Sequence, residues 1–471
     1  MAIIFLSLIL CLSSLIIISP SSSTTITLTL SPLSKPHSSS NPWQIRSNIV
    51  KTSIQRAYHL KKPKKNHTSS TILHGSTSTS LYARSYGGYT VSLVFGTPAQ
   101  TIPLVFDTGS SLLWVPCTSS YGCVNCTFSN VDPFNITTFK PKLSSSTRVI
   151  GCKNPKCGWV LGSDNVESRC GSDCGSKCRR ACPSYMIQYG LGSTSGLAIS
   201  ESLDLPGAVV KDFLLGCSLL SIRQPEGIAG FGRAPTSLPS QLRLRKFSYC
   251  LLPHKFDESP RSSKLILSGS GDKISTAYIG SRSKVEYTPL YKNPTTPPYN
   301  EYYYVSLRKI TVGKKHIKLP YKFLTPNLNG DGGTIVDSGT SLTFMERPLF
   351  EPVVKELVAQ IIHYKRANDI EAQSGFGLCF DIKNVTNVSF PKLVFHFKGG
   401  GKMLMPLANY FSFMSDLGAW CLTIVTDTSP AAPSSGPIGP AIILGNFQQQ
   451  NFYMEYDLEN QRLGFKKHKC G

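Results

Sequence analysis

The chain has 471 residues, 41% hydrophobic and 16% charged, with a formal net charge of +22. That length and balance exclude a disordered polymer and are enough for two globular lobes, each with its own core. The charge directs attention to polyanions, but the basic residues are dispersed rather than set on a nucleic-acid motif, and the densest run, HLKKPKKNH (59–67), precedes the first folded-looking strand.

Residues 1–19, MAIIFLSLILCLSSLIIIS, are apolar and uncharged. The run is short for a membrane span and stands at the N-terminus before a Ser/Thr-rich stretch, so residues 1–23 read as a secretory signal peptide. No second long apolar run follows, nor a lipid-anchor tail or an ER-retention tetrapeptide. The mature chain is therefore expected to be exported without a membrane span, to the extracellular space, cell wall or vacuole. Residues 24–84 are Ser/Thr-rich, then basic, and poor in apolar periodicity, and read as a removable leader. Regular structure is expected from YTVSLVFGTP (89–98), which alternates and ends in a Gly-Thr-Pro turn. Short strand-like runs follow to the C-terminus, among them FLLGCS, KLILSG, YYYVSLRKITV, KLVFHF and AIILGN. The best helical pattern is RPLFEPVVKELVAQIIHYKR (347–366), with apolar residues three and four apart. The fold class is all-β with a few short helices.

Fifteen cysteines fit the same compartment. Cys11 falls in the signal, which leaves an even number for a disulfide framework. Cys117, Cys123 and Cys126 cluster, and Cys170, Cys174, Cys178 and Cys182 recur every fourth residue. A zinc site is the rival reading of such spacing, but neither cluster contains a histidine. Five sequons also suit export, at Asn66, Asn125, Asn135, Asn384 and Asn387.

The chain repeats itself. YTVSLVFG…TIPLVFDTGSSLLWV (89–115) has a counterpart in YYVSLRKITVG…GGTIVDSGTSLTF (303–344). Each copy ends in Asp-Thr/Ser-Gly-Ser/Thr-Ser, and each is followed by an apolar pair and glycine, Ile228-Ala229-Gly230 and Ile443-Leu444-Gly445. Two lobes related by a pseudo-twofold would account for this, an N-terminal lobe over 85–280 and a C-terminal lobe over 281–471. Facing loops would bring Asp107 and Asp337 together. Two carboxylates within hydrogen-bond reach cannot both ionise cheaply and share a proton. One then acts as base on a water held between them while the other protonates a carbonyl oxygen. Gly109 and Gly339 let backbone amides approach the carboxylates, Thr108 and Ser338 can bond between the loops, and Ser110 and Thr340 can orient the outer oxygens.

These motifs, with YGLGSTSG (189–196), EGIAGFGRAPTSLPSQL (226–242), KFSYCLL (246–252) and ILGNFQQQN, make the chain resemble the pepsin-type aspartic endopeptidases, in particular their plant, nepenthesin-like branch. The resemblance runs from about residue 85 to the C-terminus. It implies a bilobed fold and Asp107 and Asp337 as the catalytic pair. Tyr189 becomes the tyrosine of a flap that closes over substrate, and Trp114 the tryptophan behind it that receives the tyrosine hydroxyl. Leu191 departs from the branch, which usually has an acidic residue there. The implied disulfides are Cys117–Cys123, Cys126–Cys217, Cys250–Cys470 and Cys379–Cys421. The partners of Cys152, Cys157, Cys170, Cys174, Cys178 and Cys182, in a branch-specific insert, stay open.

The expected activity is hydrolysis of polypeptides in acid by a monomer made as a zymogen, without metal or organic cofactor. Lys61, Lys62, Lys64 and Lys65 of the leader are expected over the anionic cleft. Acidic polysaccharide is a weak candidate partner; nucleic acid is not expected. The alternative is a catalytically silent homologue that inhibits glycosidases or binds the cell wall.

Overall fold

Tyr89–Phe95 and Gln100–Asp107 carry alternating or continuous apolar residues, so each buries one face or both and pairs with its neighbour as an antiparallel hairpin. The computed structural model describes residues 25–32, 42–61, 88–126, 136–171, 178–190, 192–253, 262–269, 284–382, 388–415, 417–427 and 437–470. The signal segment, Leu191, Cys174 and the sequons at Asn66, Asn135, Asn384 and Asn387 lie outside them. Asn125 is exposed just after the strand Gly122–Val124.

Strands dominate, in one large sheet and three smaller ones. The repeat seen in the sequence appears as a shared three-strand unit. In the first copy Gln100–Asp107 runs parallel to Gly227–Gly230, with Gly230 opposite Asp107, and Ile228 also pairs with Trp114 on an antiparallel strand. In the second copy Thr334–Val336 runs parallel to Ile442–Leu444, which pairs antiparallel with Thr343–Met345. Each aspartate stands where its strand ends and the chain turns across the unit. A side-chain carbon on Gly230 would sit 2.2 Å from the Ser111 carbonyl oxygen, and one on Gly445 2.6 Å from that of Ser341. Glycine is thus required where each loop crosses its partner strand.

The halves are joined by Lys246–Cys250, which pairs antiparallel with Phe452–Asp457, and by the final strand Arg462–Lys467. Cys250–Cys470 ties down the C-terminal end, and Cys379–Cys421 links a directly opposed cross-strand pair. The upstream pairing differs from expectation. Cys117 bonds Cys217 and Cys123 bonds Cys126, in place of Cys117–Cys123 and Cys126–Cys217. The reason is register: Trp114–Pro116 runs parallel to 216–218, which sets Cys117 5.2 Å in Cα distance from Cys217. In the insert Cys152 bonds Cys170 and Cys157 bonds Cys182.

Two further expectations are corrected. The helix beginning at Arg347 ends at Gln360, not 366, because Lys365–Arg366 is drawn into a strand opposite Phe380–Asp381. The leader is also not structureless. Thr25–Pro32 is a strand between Ser263–Ser268 and Tyr89–Val91, and Pro42–Lys61 is a helix. The strand's alternation, TITLTL, and the helical recurrence of Ile49, Val50, Ser53, Ala57 and Leu60 were both present in a stretch read as lacking periodicity. Among the described residues no helix is long and apolar enough to cross a membrane.

Replacing Gly230 by Ala should lower the unfolding free energy by about 1–3 kcal/mol through overpacking. Gly158→Ala, in open space on the helix Pro155–Leu161, should be neutral or slightly stabilising. Urea unfolding of both variants checks the contrast.

Candidate active site

The two Asp-Thr/Ser-Gly loops meet at the pseudo-twofold. The Thr108 amide donates to Ser338 Oγ at 3.0 Å and the Ser338 amide to Thr108 Oγ1 at 2.9 Å. Each hydroxyl then donates to a carbonyl just before the opposite aspartate, Thr108 to Val336 and Ser338 to Phe106. This reciprocal, buried exchange fixes the loops against each other.

Asp107 and Asp337 are fully buried and lie close enough for each carboxyl to shift the other's titration. Their inner shells match. Asp107 accepts from the Gly109 amide at 2.9 Å and Ser110 Oγ at 2.6 Å; Asp337 accepts from the Gly339 amide at 2.8 Å and Thr340 Oγ1 at 2.5 Å. The structure thus brings together all eight loop residues that the sequence singled out.

A residue that was not singled out completes the site. Arg56, on the helix Pro42–Lys61, sends Nη2 to both oxygens of Asp107 at 2.8 Å and Nε to Asp337 Oδ2 at 3.3 Å. Burial opposes its charge, but the two carboxylates outweigh that and hold the guanidinium protonated. Asp107 is raised by burial, yet Arg56, Ser110, the neighbouring Asp337 carboxyl and the Gly109 amide bring it below its ordinary range. Asp337 is pushed up to about 6, first by burial and then by the neighbouring Asp107 charge, against the pull of Arg56. The pair therefore favours one proton shared between two sites.

The same helix fills the space around this contact. Ile49, Val50, Ala57 and Leu60 are buried against Tyr302, Tyr304, Phe344, Phe376 and Phe447, and burial of each larger aliphatic side chain contributes about 1.5–3 kcal/mol. Ser53 Oγ accepts the Leu342 amide at 2.9 Å. Lys61 pairs with Glu346 and its carbonyl accepts from Tyr299, so it anchors the helix end rather than covering the aspartates. Lys62, Lys64 and Lys65 lie outside the described residues. The space left beside Arg56, Asp107 and Tyr189 is about 40 Å³, room for a few waters at about 10–15 Å³ each. The signal for Arg56 was its place seven residues after Ile49, on the helix face that also carries Ser53, Ala57 and Leu60.

Tyr189 stands at the tip of the hairpin formed by Tyr185–Gln188 and Ser193–Leu205. The Trp114 indole N–H donates to its hydroxyl at 2.8 Å, so the tryptophan is the donor of this bond. A side-chain carbon on Gly190 would sit 2.6 Å from Arg56 Cα: the hairpin lies directly on the leader helix. Behind the aromatic pair, Val160 and Leu161 of the disulfide-bonded insert pack against the cluster of Val105, Leu112, Trp114, Tyr185, Tyr189 and Ile228. Among the described residues no group of three or more His, Cys, Asp or Glu is placed to hold a metal ion.

Two family models match the chain, Xylanase inhibitor N-terminal over residues 89–269 and Xylanase inhibitor C-terminal over 302–467. A probable aspartyl protease of Arabidopsis thaliana is 32% identical over 432 residues, covering 83% of this chain and 84% of that protein. Aspartic proteinase nepenthesin-1 of Nepenthes gracilis is 32% identical over 400 residues, covering 83% and 80%. The chain belongs to the pepsin-like aspartic protease family, in its plant, nepenthesin-like branch. Solved structures share the bilobed fold: that titled edgp superposes with a TM-score of 0.62 at 17% identity, and conglutin gamma, a basic 7S globulin from lupine seeds, with 0.59 at 17%, each over 95% of both chains.

Thr108→Val and Ser338→Ala should each destabilise the fold, and the double variant should lose less than the sum by about 0.5–3 kcal/mol, since both remove one reciprocal exchange. Urea unfolding in a double-mutant cycle measures the difference.

Proposed function

We propose that this protein is an exported aspartic endopeptidase, made as a zymogen, that hydrolyses peptide bonds in acid with a water activated between Asp107 and Asp337. The observation that carries the reading is the matched pair of buried carboxyls, each with a complete inner shell of one amide and one hydroxyl donor. A homologue that has given up catalysis has no need to keep both inner shells, and both are complete here.

In the proposed reaction the ionised carboxylate takes a proton from the water, whose oxygen attacks the scissile carbonyl carbon. The protonated carboxyl gives its proton to the carbonyl oxygen, forming a neutral diol. Collapse of the diol breaks the C–N bond: the first carboxyl passes its proton to the departing nitrogen, and a diol hydroxyl returns one to the second. The atoms balance with one water consumed, and the dyad recovers its single proton. Tyr189 closes the flap over substrate, held by the Trp114 N–H, and the apolar wall of Val105 and Ile228 favours apolar side chains next to the scissile bond. Exchange of either aspartate for Asn should lower cleavage of an unfolded protein at acid pH by at least ~100-fold. Cleavage undiminished in both variants would favour the silent, binding-protein alternative.

Residues 24–84 act as the inhibitory leader, with the lobes over 85–280 and 281–471. With the helix docked, Arg56 occupies the place of the reacting groups. The pH dependence follows from His59, lowered to about 4 by burial and by Arg56, with Asp107 opposing. Docking requires the neutral imidazole, whereas the undocked leader takes up a proton near pH 6.5. Docking is therefore strongest above that pH and weakens as the solution is acidified toward about 4. Protonation of the carboxylates acts in the same direction by removing the partners of Arg56. Capture of the full chain on an immobilised transition-state analogue should rise with acidification. His59→Gln should move the midpoint to lower pH, and Arg56→Ala should permit capture near neutrality. Capture independent of pH in all three proteins would refute this control.

A further inference from the structure

We propose that the outer face of the four-stranded sheet in the C-terminal half docks a linear polyuronate, an acidic polysaccharide with one carboxylate on each sugar. The sheet consists of Lys315–Ile317, Leu307–Val312, Leu393–Phe397 and Lys402–Leu404, in that order. Its inner face is apolar, with Ile310, Phe395 and Met403 in one buried cross-strand row. The alternate residues point outward. Lys309, His396 and Lys402 form one row; Thr311, Val394 and Leu404 form the next, with His316 beside Thr311. Lys318, Lys392 and Lys398 extend the strands at the margins and are exposed, as are Lys309 and Lys402.

No acidic residue belongs to this face among the described residues. Two carboxylates bond at its margins only: Glu286 accepts the Lys402 backbone amide, and Glu356 pairs with Lys315. None of the five lysines Lys309, Lys318, Lys392, Lys398 and Lys402 forms an ion pair with a described acid. Some cations elsewhere are partnered, as in Lys156–Asp212, Lys246–Glu455, Arg366–Glu371 and Arg462–Asp457. Like charges set opposite one another across strands destabilise a sheet. Their effect is visible on His396, whose protonation is opposed first by burial and then by Lys309, Lys402 and His316. A local cost with no internal compensation is expected where a partner supplies the compensation.

The geometry favours an extended polyanion. Neighbouring strands lie ~4.8 Å apart, so a chain running across them meets a new row position at close to the interval of one pyranose unit. The face carries no Phe, Tyr or Trp on which successive bases could stack, which disfavours single-stranded nucleic acid. Its two apolar side chains, Val394 and Leu404, are too few to insert into a bilayer. The proposal does not depend on proteolysis, because the face and the aspartates share no residue.

The test is retention of the full chain on immobilised polygalacturonate at low ionic strength. The triple variant Lys309→Gln, Lys398→Gln, Lys402→Gln should bind about 100-fold more weakly, at roughly fivefold per lysine. A control with the same net charge, Lys142→Gln, Lys153→Gln, Lys211→Gln in the N-terminal half, should bind as the wild type does, and the fully methyl-esterified polymer should not retain either. Unchanged thermal unfolding and unchanged cleavage of an unfolded substrate would show that the first triple is intact. Equal weakening in both triples, or equal retention on the esterified polymer, would overturn the proposal. So would tighter binding of single-stranded DNA or anionic vesicles than of polygalacturonate.

Discussion

Two acids buried side by side are the constraint around which this molecule is organised. A carboxylate removed from water is expensive unless several donors surround it, and a second one beside it raises the expense. The chain meets the difficulty twice in the same way. A strand delivers the aspartate, a tight turn directs a backbone amide and a hydroxyl at it, and a glycine on the adjacent strand lets the turn pass over without a clash. The hydroxyl exchange between Thr108 and Ser338 then locks the two solutions to each other. The three-strand units, the pseudo-twofold and the bridging strands are what is needed to hold those two loops in register.

The parts of this arrangement that depend on local chemistry were legible in the amino-acid sequence. The duplicated Asp-Thr/Ser-Gly turns, their distant glycine partners and the alternating strands each leave a mark within a short window. Pairings set by long-range register were less so. Cys117 stands nearer to Cys123 in sequence than to Cys217, and only the parallel alignment of 114–116 with 216–218 decides between them. Arg56 was missed for a different reason. The polar composition around it masked a helical face of five residues, and nothing local marks an arginine as the counterion of an acid 281 positions away. Of the lysines that the charge run brought forward, Lys61 is the described one, and it ends the helix engaged by Glu346 rather than by the aspartates.

The manner in which the cleft is filled has chemical significance. A helix keeps its amides and carbonyls bonded to itself, so it offers no extended backbone to the aspartates. Arg56 supplies a charge complement to the two carboxyls, while the hairpin that carries Tyr189 rests on the helix. The insert cross-linked by Cys152–Cys170 and Cys157–Cys182 packs Val160 and Leu161 against the cluster that holds the Trp114–Tyr189 pair.

The strand Thr25–Pro32 has a consequence of its own. It is an interior member of the large sheet, registered with six residues of one neighbour and three of the other. Severing the chain between this strand and the helix would free the cleft yet leave the strand in its slot, as a separate peptide retained by its ladder of amide bonds. Expelling it as well would open a seam with two unsatisfied borders facing each other, which some other stretch of polypeptide would have to fill. The first few dozen residues are therefore joined to the body in two unequal ways: one part is a helix laid in the cleft, the other a plank in the wall.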